Sequence, residues 1–124
     1  MLDPSQKGRV AHRRGMEAED AARMALEWEG WRILARRLRT AAGEIDLVAE
    51  KDGLLALVEV KARSSLADAA AALSNRQRAR LIAASDIILA EHPEWGARGA
   101  RFDVMMVDKA GTVRRIVDAF RADS

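Results

Sequence analysis

A chain of 124 residues fits one domain with enough length to bury a core, and its 21 basic and 19 acidic side chains leave a formal charge of only +2. With no cysteine it can form neither a disulfide nor a thiolate metal site, and no apolar run approaches the roughly 18 residues that a membrane span needs. Residues 1–14 are polar and basic without the apolar core of a signal peptide, so a soluble, cytoplasmic protein is expected, with no membrane partner.

Residues 1–12 hold Pro4, Ser5 and Gly8 and read as a flexible basic tail, which leaves residues 13–121 as the single domain. From about Arg13 to Glu29 the apolar residues recur at helical spacing. Gly15, Ala18, Ala22, Ala25 and Leu26 share one stripe, and Gly30 is the stop signal. Glu19 lies at the edge of that stripe, where periodicity alone reads it as a solvated helix acid. Trp31 to Leu38 is the first strand, with Trp31, Ile33 and Ala35 on one face and Leu34 and Leu38 among arginines on the other.

The stretch from Gly43 to Arg63 is a β-hairpin carrying acids. Ile45, Leu47 and Ala49 alternate with Glu44, Asp46 and Val48, Asp52-Gly53 is a tight-turn signal, and Leu54 to Val60 is a second β-prone run. A two-residue turn pairing Lys51 with Leu54 would set Asp46 directly across from Glu59, with Lys61 on the same face as Glu59. Carboxylates so paired lie about 5 Å apart at Cβ and repel, which calls for a compensating cation: Lys61, or a metal such as Mg²⁺. A slip of one residue would send Asp46 to the other face.

Ser64 to Leu73 is alanine-rich and fits a loop or a short helix equally. Ser74-Asn75-Arg76-Gln77 has the spacing of a capping box and opens a helix whose core face is Leu81, Ile82, Ser85, Ile88 and Leu89, ended by His92-Pro93. Arg101 to Val107 and Thr112 to Phe120 form a second hairpin around Asp108 to Gly111. Asp103, inside a strand, reads as a structural acid paired with Arg101 or another arginine. His12 and His92 lack ligand-like spacing, and Trp28, Trp31 and Trp95 read as core before they read as base-stacking platforms. The element order gives an α/β domain with a mixed five-stranded central sheet flanked by helices.

Basic residues fall in three clusters: Lys7, Arg9, Arg13 and Arg14; Arg32, Arg36, Arg37 and Arg39; Arg76, Arg78 and Arg80. Each alone reads as a solvated face as readily as a phosphate contact, but three clusters flanking an acidic hairpin favour nucleic acid. Arg36, Arg37, Arg39, Arg63, Arg76, Gln77 and Arg80 are the candidate contacts.

Asp46, twelve residues, then Glu59-Val60-Lys61 resembles the PD-(D/E)xK signature of restriction-endonuclease-like nucleases, without its proline. Together GEIDLVAE, VEVKAR and RFDVMMV, in that order, resemble the YraN-like family of small bacterial proteins assigned to that superfamily, over about Gly15 to Val107. The resemblance implies a restriction-endonuclease-like fold and a Mg²⁺- or Mn²⁺-dependent nuclease acting on DNA, possible roles being repair or recombination. Asp46, Glu59 and the Val60 carbonyl would hold the metal, Glu19 would assist through water with Glu17 as its rival in register, and Lys61 would orient the attacking water. A Holliday-junction resolvase of this superfamily would work as a homodimer. The competing class is a nucleic-acid-binding adaptor with a nuclease fold and no cleavage, and a third is an interaction module whose hairpin acids are only a salt-bridge network. Where the family pattern has asparagine this chain has Arg37, a departure expected to touch a local contact and not the metal site.

Overall fold

The computed structural model describes residues 17–71 and 73–120. The expected basic tail, with Lys7, Arg9, His12, Arg13 and Arg14, lies outside them, as do Gly15 and the helix start expected near Arg13. Helix α1 is described over residues 17–28, followed by β1 (Arg32–Thr40), β2 (Gly43–Lys51), β3 (Leu54–Ala62), α2 (Leu66–Ala71), α3 (Asn75–Glu91), β4 (Ala100–Val107) and β5 (Val113–Phe120). The strands lie in sequence order in one five-stranded sheet. β1, β2 and β3 form an antiparallel meander, β4 joins β3 in parallel after the helical crossover, and β5 returns antiparallel. The alanine-rich stretch left open between loop and helix is the short helix α2.

Period two divides most of the sheet between two layers of helix; in β2 it breaks before Leu47, so that Ile45 packs with Val48 and not with Leu47 and Ala49. Val48, Leu55, Leu57, Val104 and Met106 pack with Ala69 of α2 and with Leu81, Ala84 and Ile88 of α3. Leu47, Ala49, Ala56, Val58, Met105 and Val107 pack with Ala18, Ala22 and Leu26 of α1. Ala18 and Ala22, one turn apart on the helix, let α1 approach closely; Leu26, fully buried, contributes about 2 kcal/mol by leaving water. The end of α1 is a Schellman motif, in which Trp31 N–H bonds Leu26 O at 3.0 Å and Gly30 N–H bonds Glu27 O at 3.0 Å.

Asp52 and Gly53 have φ of 51° and 82°, both in the left-handed region that a two-residue hairpin turn of type I′ requires. Lys51 pairs with Leu54, the pairing expected from the turn signal. In β1 the register shifts between Ile33 and Ala35, so Ala35 packs on the α3 side with Leu34 and Leu38 while Trp31 and Ile33 pack on the α1 side. Strict alternation had put Ala35 with Trp31; the bulge overturns that.

The tryptophans occupy three unlike environments. Trp31 is buried, with the guanidinium carbons of Arg101 and Arg115 5.3 and 5.7 Å from its ring centre. Trp95 stacks on His92 at 3.8 Å between ring centres. Trp28 is 92% exposed and is not a core residue. Asp103 is buried and held by Arg101 through contacts of 3.0 and 3.2 Å, the structural pairing expected of it. No helix among the described residues is long and apolar enough to cross a membrane.

Candidate functional site

The β2–β3 ladder runs from Lys51 and Leu54 to Leu47 and Val58 and opens beyond them. Asp46 and Glu59 are the next residue on each strand, so the register brings them together where the strands part. Asp46 Oδ2 accepts a hydrogen bond from Val60 N–H at 2.8 Å, a side chain acting where the backbone pairing has ended. Glu59 Oε1 lies 3.3 Å from Lys61 Nζ and accepts from Gln77 Nε2 at 3.4 Å. Its other oxygen, Oε2, is buried without a hydrogen-bond partner among the described residues.

Burial raises Asp46 to about 7, with the neighbouring Glu59 as the next cause, against the Val60 N–H that favours its charged form. Burial likewise raises Glu59, opposed chiefly by Lys61 and then by Arg80. Two acids so placed hold a proton or attract a cation. Among the described residues no group of three or more His, Cys, Asp or Glu is arranged to hold a metal. The orphaned Glu59 Oε2 and the two raised carboxyls nevertheless fit a hard cation that takes two carboxylates from the protein and the rest of its oxygens from water or phosphate.

Glu19 reaches this region from α1, its side chain 15% exposed, whereas Glu17 is exposed. The charge of Glu19 is felt at Asp46, but its carboxylate is held by Arg37. Arg37 Nη2 and Nε both donate to Glu19 Oε2, at 2.7 and 2.9 Å, and Nε also approaches Oε1 at 3.3 Å. Flanking pairs Arg36 with Leu47 and Leu38 with Ile45 place Arg37 level with Asp46, yet Arg37 drops out of the ladder with φ of 51°. A left-handed arginine costs about 1–2 kcal/mol. The local contact expected at this departure is thus an ion pair with Glu19, through which Arg37 reaches the acid cluster.

The remaining arginines of β1 are also matched by acids from other elements. Arg32 pairs with Glu50 at 3.1 Å, Arg36 with Asp20 at 3.0 Å, and Arg39 with Glu44 at 3.4 Å. A cluster that is purely basic in sequence is thus neutralised in space. Arg63 and Arg76 are exposed, with Arg63 Nη1 donating to Ala62 O at 3.0 Å.

Helix α3 brings Gln77 and Arg80. Ser74 caps it, its Oγ accepting from Gln77 N–H at 3.1 Å; the Gln77 amide donates to Glu59. Arg80 passes over Gly43, where a Cβ would lie 2.7 Å from Arg80 Nη1, so any larger residue would push this cation from its path. Ser74→Ala should cost about 1 kcal/mol in urea unfolding; unchanged stability would mean that the cap contributes nothing.

A cavity of about 260 Å³ lined by Trp31, Lys51, Asp52, Leu54 and Arg98 lies at the turn end of the hairpin and contains none of these acids.

A mixed five-stranded sheet between helices, with its acids on the second and third strands, defines a restriction-endonuclease-like fold. The chain belongs to the family described as "Uncharacterised protein family UPF0102", whose sequence pattern matches residues 18–107 and which is the YraN-like family of the resemblance. It is 63% identical to a UPF0102 protein of Granulibacter bethesdensis over 94% of this chain and 74% of that one. It is 48% identical to a UPF0102 protein of Azorhizobium caulinodans over 95% of this chain and 90% of that one. A UPF0102 protein of Rhodopseudomonas palustris is 46% identical over 96% of this chain and 92% of its own length.

Proposed function

We propose that this protein is a metal-dependent nuclease that hydrolyses DNA phosphodiester bonds at the opening between β2 and β3. The observation that carries the reading is the pair Asp46 and Glu59, half-buried, raised in pKa and left with an orphaned oxygen beside Lys61. Asp46, Glu59 and the Val60 carbonyl would hold Mg²⁺ or Mn²⁺. That ion supplies Lewis acidity and neutralises charge on the scissile phosphate. Lys61, anchored on Glu59, would orient the attacking water and hold positive charge beside the scissile phosphate. Gln77 keeps Glu59 pointing into the opening. Arg80 adds positive potential where the phosphate would lie, and exposed Arg63 and Arg76 are further contacts for the DNA backbone.

A DNA-binding adaptor without cleavage is the second reading, favoured by the Arg37–Glu19 pair, which leaves two carboxylates and not three turned toward the opening. The test is cleavage of single-stranded, duplex and branched DNA with Mg²⁺ or Mn²⁺ by the wild type and Asp46→Ala. Cleavage lost in a folded, DNA-binding variant supports the nuclease. Salt-sensitive DNA binding with no cleavage in either protein supports the adaptor, and absence of both leaves the hairpin acids as a salt-bridge network alone.

A further inference from the structure

We propose that Arg37 is an exchangeable clasp on Glu19: it occupies that carboxylate in the DNA-free protein and moves to a DNA phosphate when a divalent cation takes its place. The inference rests on the nuclease-type reading of the acid pair. Its observations are the forked contact of one guanidinium with one carboxylate, the left-handed backbone that turns Arg37 out of the β1–β2 ladder, and its position level with Asp46.

Three further features make the contact exchangeable. Arg37 keeps 41% of its side chain exposed while Glu19 keeps 15%, so the arginine is the partner with room to leave. The acidic groups around it, Glu19, Glu44 and Asp46, are what hold it in the metal-free protein, so a cation that takes over their charge removes that hold; Glu44 is itself engaged by Arg39. A divalent cation at Asp46 and Glu59 would attract Glu19 and repel Arg37, and the guanidinium released at the edge of the site has the planar fork that phosphate oxygens accept. Metal and DNA would then each favour the state the other binds, and the coupling must be reciprocal. This makes Arg37 a positioning residue that acts through Glu19, and the source of a coupled response in which metal and substrate each make the other's binding tighter.

The experiment is Mn²⁺ titration of the full-length chain by electron paramagnetic resonance, with fluorescence anisotropy of a labelled DNA duplex in the presence and absence of Ca²⁺. Arg37→Met removes the charge. Arg37→Asn does the same with a residue that tolerates left-handed backbone, so a folding defect in the first variant does not end the test. Both should bind Mn²⁺ about 5-fold more tightly or better than the wild type. Glu19→Gln should weaken Mn²⁺ binding in the Arg37→Asn background far more than in the wild type, a non-additivity that a purely structural ion pair would not give. Ca²⁺ should strengthen DNA binding by the wild type several-fold and by Arg37→Asn little. Mn²⁺ binding that is abolished by Asp46→Ala but unchanged in both folded Arg37 variants overturns the clasp and leaves the metal site standing. Failure of every protein to bind Mn²⁺ overturns both.

Discussion

Lys61→Met should lower DNA cleavage by about 10²–10⁴-fold while leaving the fold and duplex binding close to those of the wild type. The methionine keeps the length of the stem and removes only the ammonium, which sits 3.3 Å from Glu59 Oε1 with its side chain 15% exposed. That charge serves the site in two ways. In the proposed nuclease it would orient the water that attacks phosphorus, and it favours the ionised forms of Asp46 and Glu59, whose pKa values it lowers. Without it both carboxyls rise further, so any residual activity should have its optimum at higher pH than the wild type. A single-turnover pH profile of both proteins reads the two effects separately. Cleavage at the wild-type rate by Lys61→Met would remove the lysine from the chemistry and leave it as the salt-bridge partner of Glu59.

The second large effect is a dependence of stability on pH in protein free of divalent cations. Asp46 in the folded chain is raised from 3.8 to about 7, so between those values the folded state binds the extra proton. Stability from this group is therefore fully present below about pH 4 and is lost as pH rises through about 7; Glu59, also raised, acts in the same direction. The gap corresponds to at most about 4 kcal/mol, an upper bound because the mouth of the site admits water. The quantity to measure is a difference between two proteins, which isolates this group. Asp46→Asn should gain stability relative to the wild type on going from pH 5 to pH 8 in urea unfolding, and Mn²⁺ at pH 8 should stabilise the wild type but not this variant. A constant difference between the two proteins across that range would mean that the acids are better solvated than their burial indicates.

The central hairpin was legible because its signals are local. Asp52-Gly53 fixes the turn, the turn fixes the register, and the register brings Asp46 and Glu59 together. The α3 cap was legible for the same reason, whereas the reach of the Gln77 side chain to Glu59 on β3 joins two elements and leaves no local signal. Periodicity could not show the bulge near Leu34 or the left-handed turn at Arg37, since neither residue type carries a preference for it. The arginines of β1 looked like an uninterrupted positive stripe because their acids, Asp20, Glu19, Glu50 and Glu44, come from α1 and from β2. Partners supplied by another element leave no mark in the sequence around the residue they satisfy.

The unlike settings of the three tryptophans give the unlabelled chain its own optical reporters. Trp28, at 92% exposure, emits from water and is open to a soluble quencher. Trp31, shut in between α1 and the sheet under Arg101 and Arg115, emits from a rigid and shielded place. Trp95, in face-to-face contact with His92, reports on the loop between α3 and β4. None of the three lies among the acids at the opening of the hairpin, so unfolding can be followed in one emission spectrum without altering the residues that would do the chemistry.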